Sequence, residues 1–310
     1  MADDQPRLGA GLLLGVALVY LLAEVLSSAA ALGATTEISV TIATVAQALP
    51  ALVGATVIAG AAAGLWLTTR SARASQSSLA GRFPLASRFS LAGRFPLAGR
   101  GRLLAGGLAG AAIGLVVGGG ILLTFGASGG VGVLAATLLV AAVLGGLTAA
   151  LPPPVLASGL AAIVGCLVVA ILLSMFQNPL ATMLGGGTDA SNRFNGAILL
   201  GIVESVIQGI VAAVVATRYL RTRDGGRAWP WYLLAGAAYG LVGLATLAIS
   251  RIGGFGLYRQ VSGFSGDDAA YLNLLLQSSL RGALVAGFVG GIGAVIVVGR
   301  GMSRTSDAAS

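Results

Sequence analysis

Three ionisable side chains interrupt the apolar stretches of this sequence: Glu24, Glu204 and Arg281. A charged group inside a bilayer is unfavourable, so such residues commonly mark ion, proton or substrate pathways. In one interpretation, Glu24 or Glu204 carries a proton or a cation, and Arg281 holds an anionic group or tunes a carboxylate. In the other, Arg281 pairs with one glutamate and only neutralises a buried charge.

Three glutamines accompany these charges within the apolar stretches: Gln47, Gln208 and Gln277. At 1.5 Å of rise per residue, the three charged residues lie roughly 12–15 Å below the same end of their helices, with the glutamines within about a turn or so of that depth. A common depth predicts one polar cluster of these six residues. Its glutamines either coordinate a transported ion or only tie helices together.

No pattern for catalysis, metal binding or a cofactor is found beside this cluster. The chain has no His, which excludes the usual general base and most zinc sites. The single cysteine, Cys166, lies in an apolar run and is interpreted as a small packing residue. The stretch GGGTDAS lacks the Gly-Lys-Ser/Thr of a phosphate loop. The sequence therefore predicts no metal and no cofactor, and it favours a protein that is not an enzyme.

The elements that carry these residues are predicted from the hydropathy of the chain. Of its 310 residues, 56% are hydrophobic and only 9% are charged, whereas a soluble domain has about a quarter charged residues. Apolar runs of this length predict transmembrane helices. The predicted class is an all-α integral membrane protein with eight helices, at about residues 8–32, 39–67, 103–125, 131–151, 155–176, 194–220, 229–252 and 271–298.

Eight helices joined by turns predict four helical hairpins. The even-numbered helices also resemble one another, because a shift of 230 residues places Gln47 on Gln277 and Arg70 on Arg300. These matches indicate an internal repeat of the kind seen in transporters, or they arise by chance in an Ala- and Gly-rich sequence. The many glycines predict close helix packing or, as the alternative, a pore lined by backbone.

The longest polar interruption is the Arg-rich segment, residues 70–102, which contains the repeat LAGRFP, LASRFS, LAGRFP, LAGRGR. In an extended chain the six-residue period places its arginines on one side and its leucines on the other, and two prolines argue against one helix. The segment is predicted to lie extended or broken on anionic headgroups, or to be a disordered low-complexity expansion. Its lipid-facing arginines are Arg82, Arg88, Arg94 and Arg100.

This segment divides the chain into a first hairpin (1–69), the Arg-rich segment itself (70–102), a six-helix bundle (103–299) and a tail (300–310). Fourteen of the 18 arginines fall on the side of this segment, so the positive-inside rule predicts that both termini are cytoplasmic. The absence of Lys and the Ala/Gly/Arg bias favour the inner (plasma) membrane of a prokaryote. The net charge of +8 is explained by anionic lipid rather than by nucleic acid.

The predicted function is that of a multi-pass transporter or permease with a polar site in the outer half of the membrane. The alternative is a structural or accessory subunit of a larger membrane complex, whose Gly-rich faces dock partner helices or a second copy. A lipid-acting membrane enzyme is the third choice.

Overall fold

The computed structural model describes residues 5–33, 38–80, 97–125, 129–183, 190–223, 228–258 and 266–307, and nearly all of them are helical. The helices are α1 (Gln5–Gly33), α2 (Ile38–Ala80), α3 (Leu97–Phe125), α4 (Gly129–Leu147), α5 (Pro153–Met175), α6 (Gln177–Met183), α7 (Ala190–Arg223), α8 (Trp229–Tyr258) and α9 (Gly266–Asp307). A 3-10 turn, Thr148–Ala150, follows α4.

Eight of these helices are long and apolar enough to cross a membrane, all except the short α6. The predicted all-α class and the eight membrane-length helices are therefore confirmed. Helices suit this environment because each satisfies its own backbone hydrogen bonds where water is absent. The grouping into four hairpins and the internal repeat stay predictions.

Prolines have different effects at two places in the chain. The break predicted at Pro152–Pro154 is observed, because α4 and its 3-10 turn end before it and α5 begins at Pro153. The Pro152 carbonyl accepts from the backbone N–H of Val155 at 2.9 Å, so the prolines occupy the first turn, where no N–H is needed. Pro50, by contrast, lies inside α2. The segment after α5, predicted as a polar loop, contains the seven-residue helix α6 instead.

The helices extend into both ends of the Arg-rich segment. Helix α2 continues to Ala80 and α3 begins at Leu97. Arg100 lies exposed in the first turn of α3, so the predicted extended conformation is wrong for this residue. Apolar sequence on its C-terminal side explains this, since α3 can propagate back from its membrane-length span. Residues 81–96, with Arg82, Arg88 and Arg94, lie outside the described residues.

The chain forms two compact units. The first comprises residues 1–157 and 249–262, and the second comprises residues 158–248 and 263–310. In the first unit, α2 packs against α1, α3 and α4. Leu21 of α1 and Ala55 and Ala59 of α2 form a buried cluster there.

Glycines allow the closest approaches in the first unit. A Cβ added at Gly145 of α4 would overlap the carbonyl oxygen of Val57 in α2. Gly106 of α3 and Gly146 of α4 face each other so closely that a Cβ on either would overlap the carbonyl of the other. These contacts are the small-residue crossings expected of helices in lipid.

The second unit is built around α9. Its glycines contact α8, where a Cβ on Gly236 or on Gly290 would overlap the other residue's carbonyl oxygen. Helix α9 also runs parallel to α7, and near the end of that contact the Arg221 guanidinium donates hydrogen bonds to the carbonyls of Val297 and Val298, at 3.1 and 3.0 Å. Helix α5 completes the unit by packing on α7 and α8.

Candidate functional site

Glu204 lies in the membrane-length part of α7, six residues after Ile198, the first residue of that apolar stretch. At 1.5 Å per residue this is about 9 Å along the helix axis. Its side chain is half-buried. One turn later, the Gln208 amide nitrogen Nε2 donates a hydrogen bond of 2.9 Å to the Glu204 carboxylate oxygen Oε1. The spacing of four residues places both side chains on one face of α7.

Gln208 is the anchor of this pair. Only 6% of Gln208 is exposed, so its position is fixed by the packing around it. A buried amide needs hydrogen-bond partners, and the Glu204 carboxylate supplies one. The neighbouring residues Ser205 and Gly209 are turned toward α9 instead, and the Ser205 hydroxyl donates to the Gly201 carbonyl of its own helix at 2.7 Å.

Helix α5 reaches the pair through Cys166. The thiol donates to the backbone carbonyl of Gln208 with a sulfur–oxygen distance of 3.2 Å, and the cysteine is fully buried. The sequence predicted a packing residue, and burial agrees with that. Its contact with the turn that carries Gln208 was not predicted, because the two residues are 42 positions apart.

Helix α8 contributes Tyr239. Its phenol interacts electrostatically with the Glu204 carboxyl and with the Cys166 thiol, which places all three in one neighbourhood of the second unit. Tyr239 was missed from the sequence because a tyrosine in an apolar run usually serves as an interfacial anchor or packing group. A signal was present, since Tyr239 lies ten residues inside the α8 span that starts at Trp229.

Helix α9 meets the site beside Arg281. A Cβ added at Gly282 would lie 2.9 Å from the Ser205 hydroxyl. Glu204 and Arg281 are the residues that precede this pair on their two helices, so they lie at the same depth within the second unit. The Arg281 side chain is nevertheless exposed, as is Gln277 one turn earlier. Within the described residues the Arg281 guanidinium has no carboxylate partner.

The remaining predicted residues lie elsewhere. Glu24 is half-buried in α1 of the first unit, and its backbone carbonyl accepts a hydrogen bond from the Ser27 hydroxyl at 3.1 Å. Gln47 lies in α2, and its side chain is outside the described residues. The second unit thus brings Glu204 and Gln208 into contact and aligns Arg281 with them, and the cluster of all six residues stays a prediction.

The chemistry available at this site is that of one carboxylate beside a neutral amide, a phenol and a thiol; the four residues Glu204, Gln208, Tyr239 and Cys166 are named the α7 cluster. The described residues contain no group of three or more His, Cys, Asp or Glu that could hold a metal ion. A lone carboxylate in an apolar helix can take up a proton or a small cation, and the uptake removes its unfavourable net charge.

Comparison with known proteins adds no relative. No protein-family model, curated protein or solved structure matches the chain.

Proposed function

We propose that this chain is a transporter or permease-like membrane protein in which Glu204 binds and releases a proton or a small cation. The observation that carries the proposal is the Glu204–Gln208 hydrogen bond within the apolar span of α7. The chemistry of that pair distinguishes a transport site from a structural charge pair.

A guanidinium would neutralise the carboxylate permanently, and a buried ion pair of that kind strongly resists opening. The Gln208 amide orients the carboxylate without adding a positive charge. Glu204 therefore retains a reason to bind a proton or cation in the membrane and to release it where water returns. Supporting roles follow for the other candidates: Arg281 attracts an anionic group at the same depth, and Gln277 lines the approach to it.

The orientation of the chain belongs to the same proposal. The excess of arginine places both termini in the cytoplasm of a prokaryote and the chain in its plasma (inner) membrane, with the α7 cluster nearer the outer surface. In the first unit, Gly64 of α2 packs against Gly106 of α3. The exposed Arg70, Arg100 and Arg102 follow and precede those glycines by four to six residues, so they gather at one end of the helix pair. Anionic headgroups are the partners proposed for that end and for Arg82, Arg88 and Arg94.

The orientation predicts opposite labelling of two introduced thiols. With Cys166→Ala as background, Ser77→Cys near the end of α2 is expected to react with a membrane-impermeant maleimide only from the cytoplasmic side. Ser191→Cys at the start of α7 is expected to react only from outside. Right-side-out and inverted vesicles provide the measurement. Reaction of both thiols from the same side would contradict the eight-helix topology.

Reconstitution tests the proposed transport directly. The purified chain is inserted into liposomes, a potassium gradient with valinomycin imposes a membrane potential, and trapped dyes sensitive to H⁺ or to Na⁺ report the flux. A flux of one ion above that of protein-free liposomes is expected. Absence of both fluxes would remove the proposal in this form.

One observation favours the accessory-subunit alternative. Arg281 and Gln277 lie exposed on α9, together with the large apolar side chains of Leu284 and Phe288. Polar groups at membrane depth favour a protein partner over lipid. If this alternative holds, purification in mild detergent yields further subunits at fixed stoichiometry, and Arg281→Ala reduces their recovery while a neighbouring exchange, Leu284→Ala, reduces it less. Purification of the chain alone, in both variants and wild type, would contradict it.

A further inference from the structure

Two buried hydroxyls of α8 have no hydrogen-bond partner. Thr246 is 7% exposed and Ser250 is 4% exposed, and neither hydroxyl oxygen has a partner among the described residues. An unpaired buried hydroxyl is unfavourable by about 1–3 kcal/mol in proteins. Each of these side chains therefore needs a partner that the protein itself does not provide.

Other hydroxyls in the membrane-length helices are satisfied by their own helix. Thr56 donates to the Leu52 carbonyl at 2.6 Å, Thr137 to Val133 at 2.7 Å and Ser205 to Gly201 at 2.7 Å. This bond to the carbonyl four residues earlier is the usual solution for Ser and Thr in an apolar helix. Thr246 and Ser250 depart from it, so their hydroxyls are turned away from the backbone.

The unpaired hydroxyls share one face of α8 with Tyr239. At 100° per residue, Tyr239, Gly243, Thr246 and Ser250 fall within about 60° of one another around the helix. Gly243 contacts Ala283 of α9, and the next residue of α9, Gly282, contacts Ser205 of α7. Gly243 is therefore level with Glu204, and Thr246 lies about one turn beyond it toward the C-terminal end of α8.

We propose that this face of α8 is hydrated and that its water delivers protons to Glu204. Water is the partner that both hydroxyls lack, and a buried water requires such polar groups beside it. The proposal rests on the transport function above and deepens it by naming the proton as the ion.

The geometry of the α7 cluster favours a proton over a metal cation. A cation such as Na⁺ is held by several oxygen ligands that replace its hydration shell. Gln208 directs its N–H, not its carbonyl oxygen, at the Glu204 carboxylate. A proton needs only one carboxylate oxygen, and the other oxygen retains the amide hydrogen bond.

Thr217 supplies a matched control. It is 1% exposed and its hydroxyl is also without a partner. It lies one turn after Ala213, which contacts Gly293 of α9, and it is about 220° around α7 from Glu204. A burial defect without a route to Glu204 is therefore represented by Thr217.

Thiol accessibility tests the hydration. In a Cys166→Ala background, Thr246→Cys and Ser250→Cys are each exposed to a small water-soluble methanethiosulfonate in native membranes, and adducts are counted by mass spectrometry. Both variants are expected to react at least about tenfold faster than Thr217→Cys. Equal rates for all three, or no reaction at Thr246→Cys, would overturn the hydrated face. This readout does not depend on transport.

Proton flux tests the delivery. Thr246→Val removes the hydroxyl at nearly constant volume and is expected to lower the dye-reported H⁺ flux at least about fivefold, while Thr246→Ser and Thr217→Val retain it. Equal flux in Thr246→Val and wild type would overturn the route and leave the proposed transport intact. A Na⁺ flux without H⁺ flux would overturn the proton assignment alone, whereas no flux of either ion would remove the proposed function and this inference with it.

Discussion

Glu204→Gln is expected to lower ion flux through the reconstituted protein by at least about tenfold, equivalent to roughly 1.4 kcal/mol or more in the rate-limiting barrier. Glutamine has the shape of glutamate but cannot bind a proton or attract a cation. The amide can still accept from Gln208 Nε2 through its own carbonyl oxygen, so the hydrogen bond observed at 2.9 Å can persist. Flux measured in liposomes with the H⁺- and Na⁺-sensitive dyes is the readout.

Folding is the control for this variant. Because shape and hydrogen bonding are conserved, we expect the amount of purified protein and its thermal midpoint in detergent to match wild type. Glu204→Asp retains the carboxyl and is expected to keep part of the flux. Glu24→Gln separates the two candidate carboxylates, since it alters the first unit only. Unchanged flux in Glu204→Gln would contradict the site, and loss of folded protein instead of flux would favour a structural role.

Gly145→Ala is expected to destabilise the protein by about 1–3 kcal/mol, the usual effect of overpacking. Alanine normally stabilises a helix relative to glycine by roughly 0.5–1 kcal/mol, so the predicted sign is the reverse of the propensity effect. The reason is steric, because the new Cβ would overlap the Val57 carbonyl oxygen, which belongs to the backbone of α2 and cannot move aside alone.

A second glycine in the same unit provides the comparison. A Cβ on Gly119 of α3 would meet no atom within 4 Å, so Gly119→Ala is expected to leave the thermal midpoint unchanged or to raise it. Both variants are measured by thermal unfolding in the same detergent. Equal midpoints would contradict the close crossing of α2 and α4 at Gly145.

Part of the α7 cluster could be predicted without coordinates. Glu204 and Gln208 are ionisable and polar residues in an apolar run, and they stand four positions apart on one helix. Cys166 and Tyr239 could not be assigned in this way, because each comes from another helix and the order of helices in a bundle depends on contacts between distant residues. The depth of Arg281 was predictable, but the exposed position of its side chain was not.

By itself, the sequence determined the eight membrane-length helices and the break at the three prolines. The cause is local: apolar residues exclude water, a helix satisfies its own backbone, and proline lacks the N–H that a helix interior requires. Only the tertiary structure decided which faces of those helices pack together. In lipid the outside of a bundle is as apolar as its inside, so hydropathy does not distinguish the two. Steric fit distinguishes them, as at Gly145 and Gly282, and that fit brings Cys166 and Tyr239 to Glu204 and leaves the Thr246 hydroxyl unpaired.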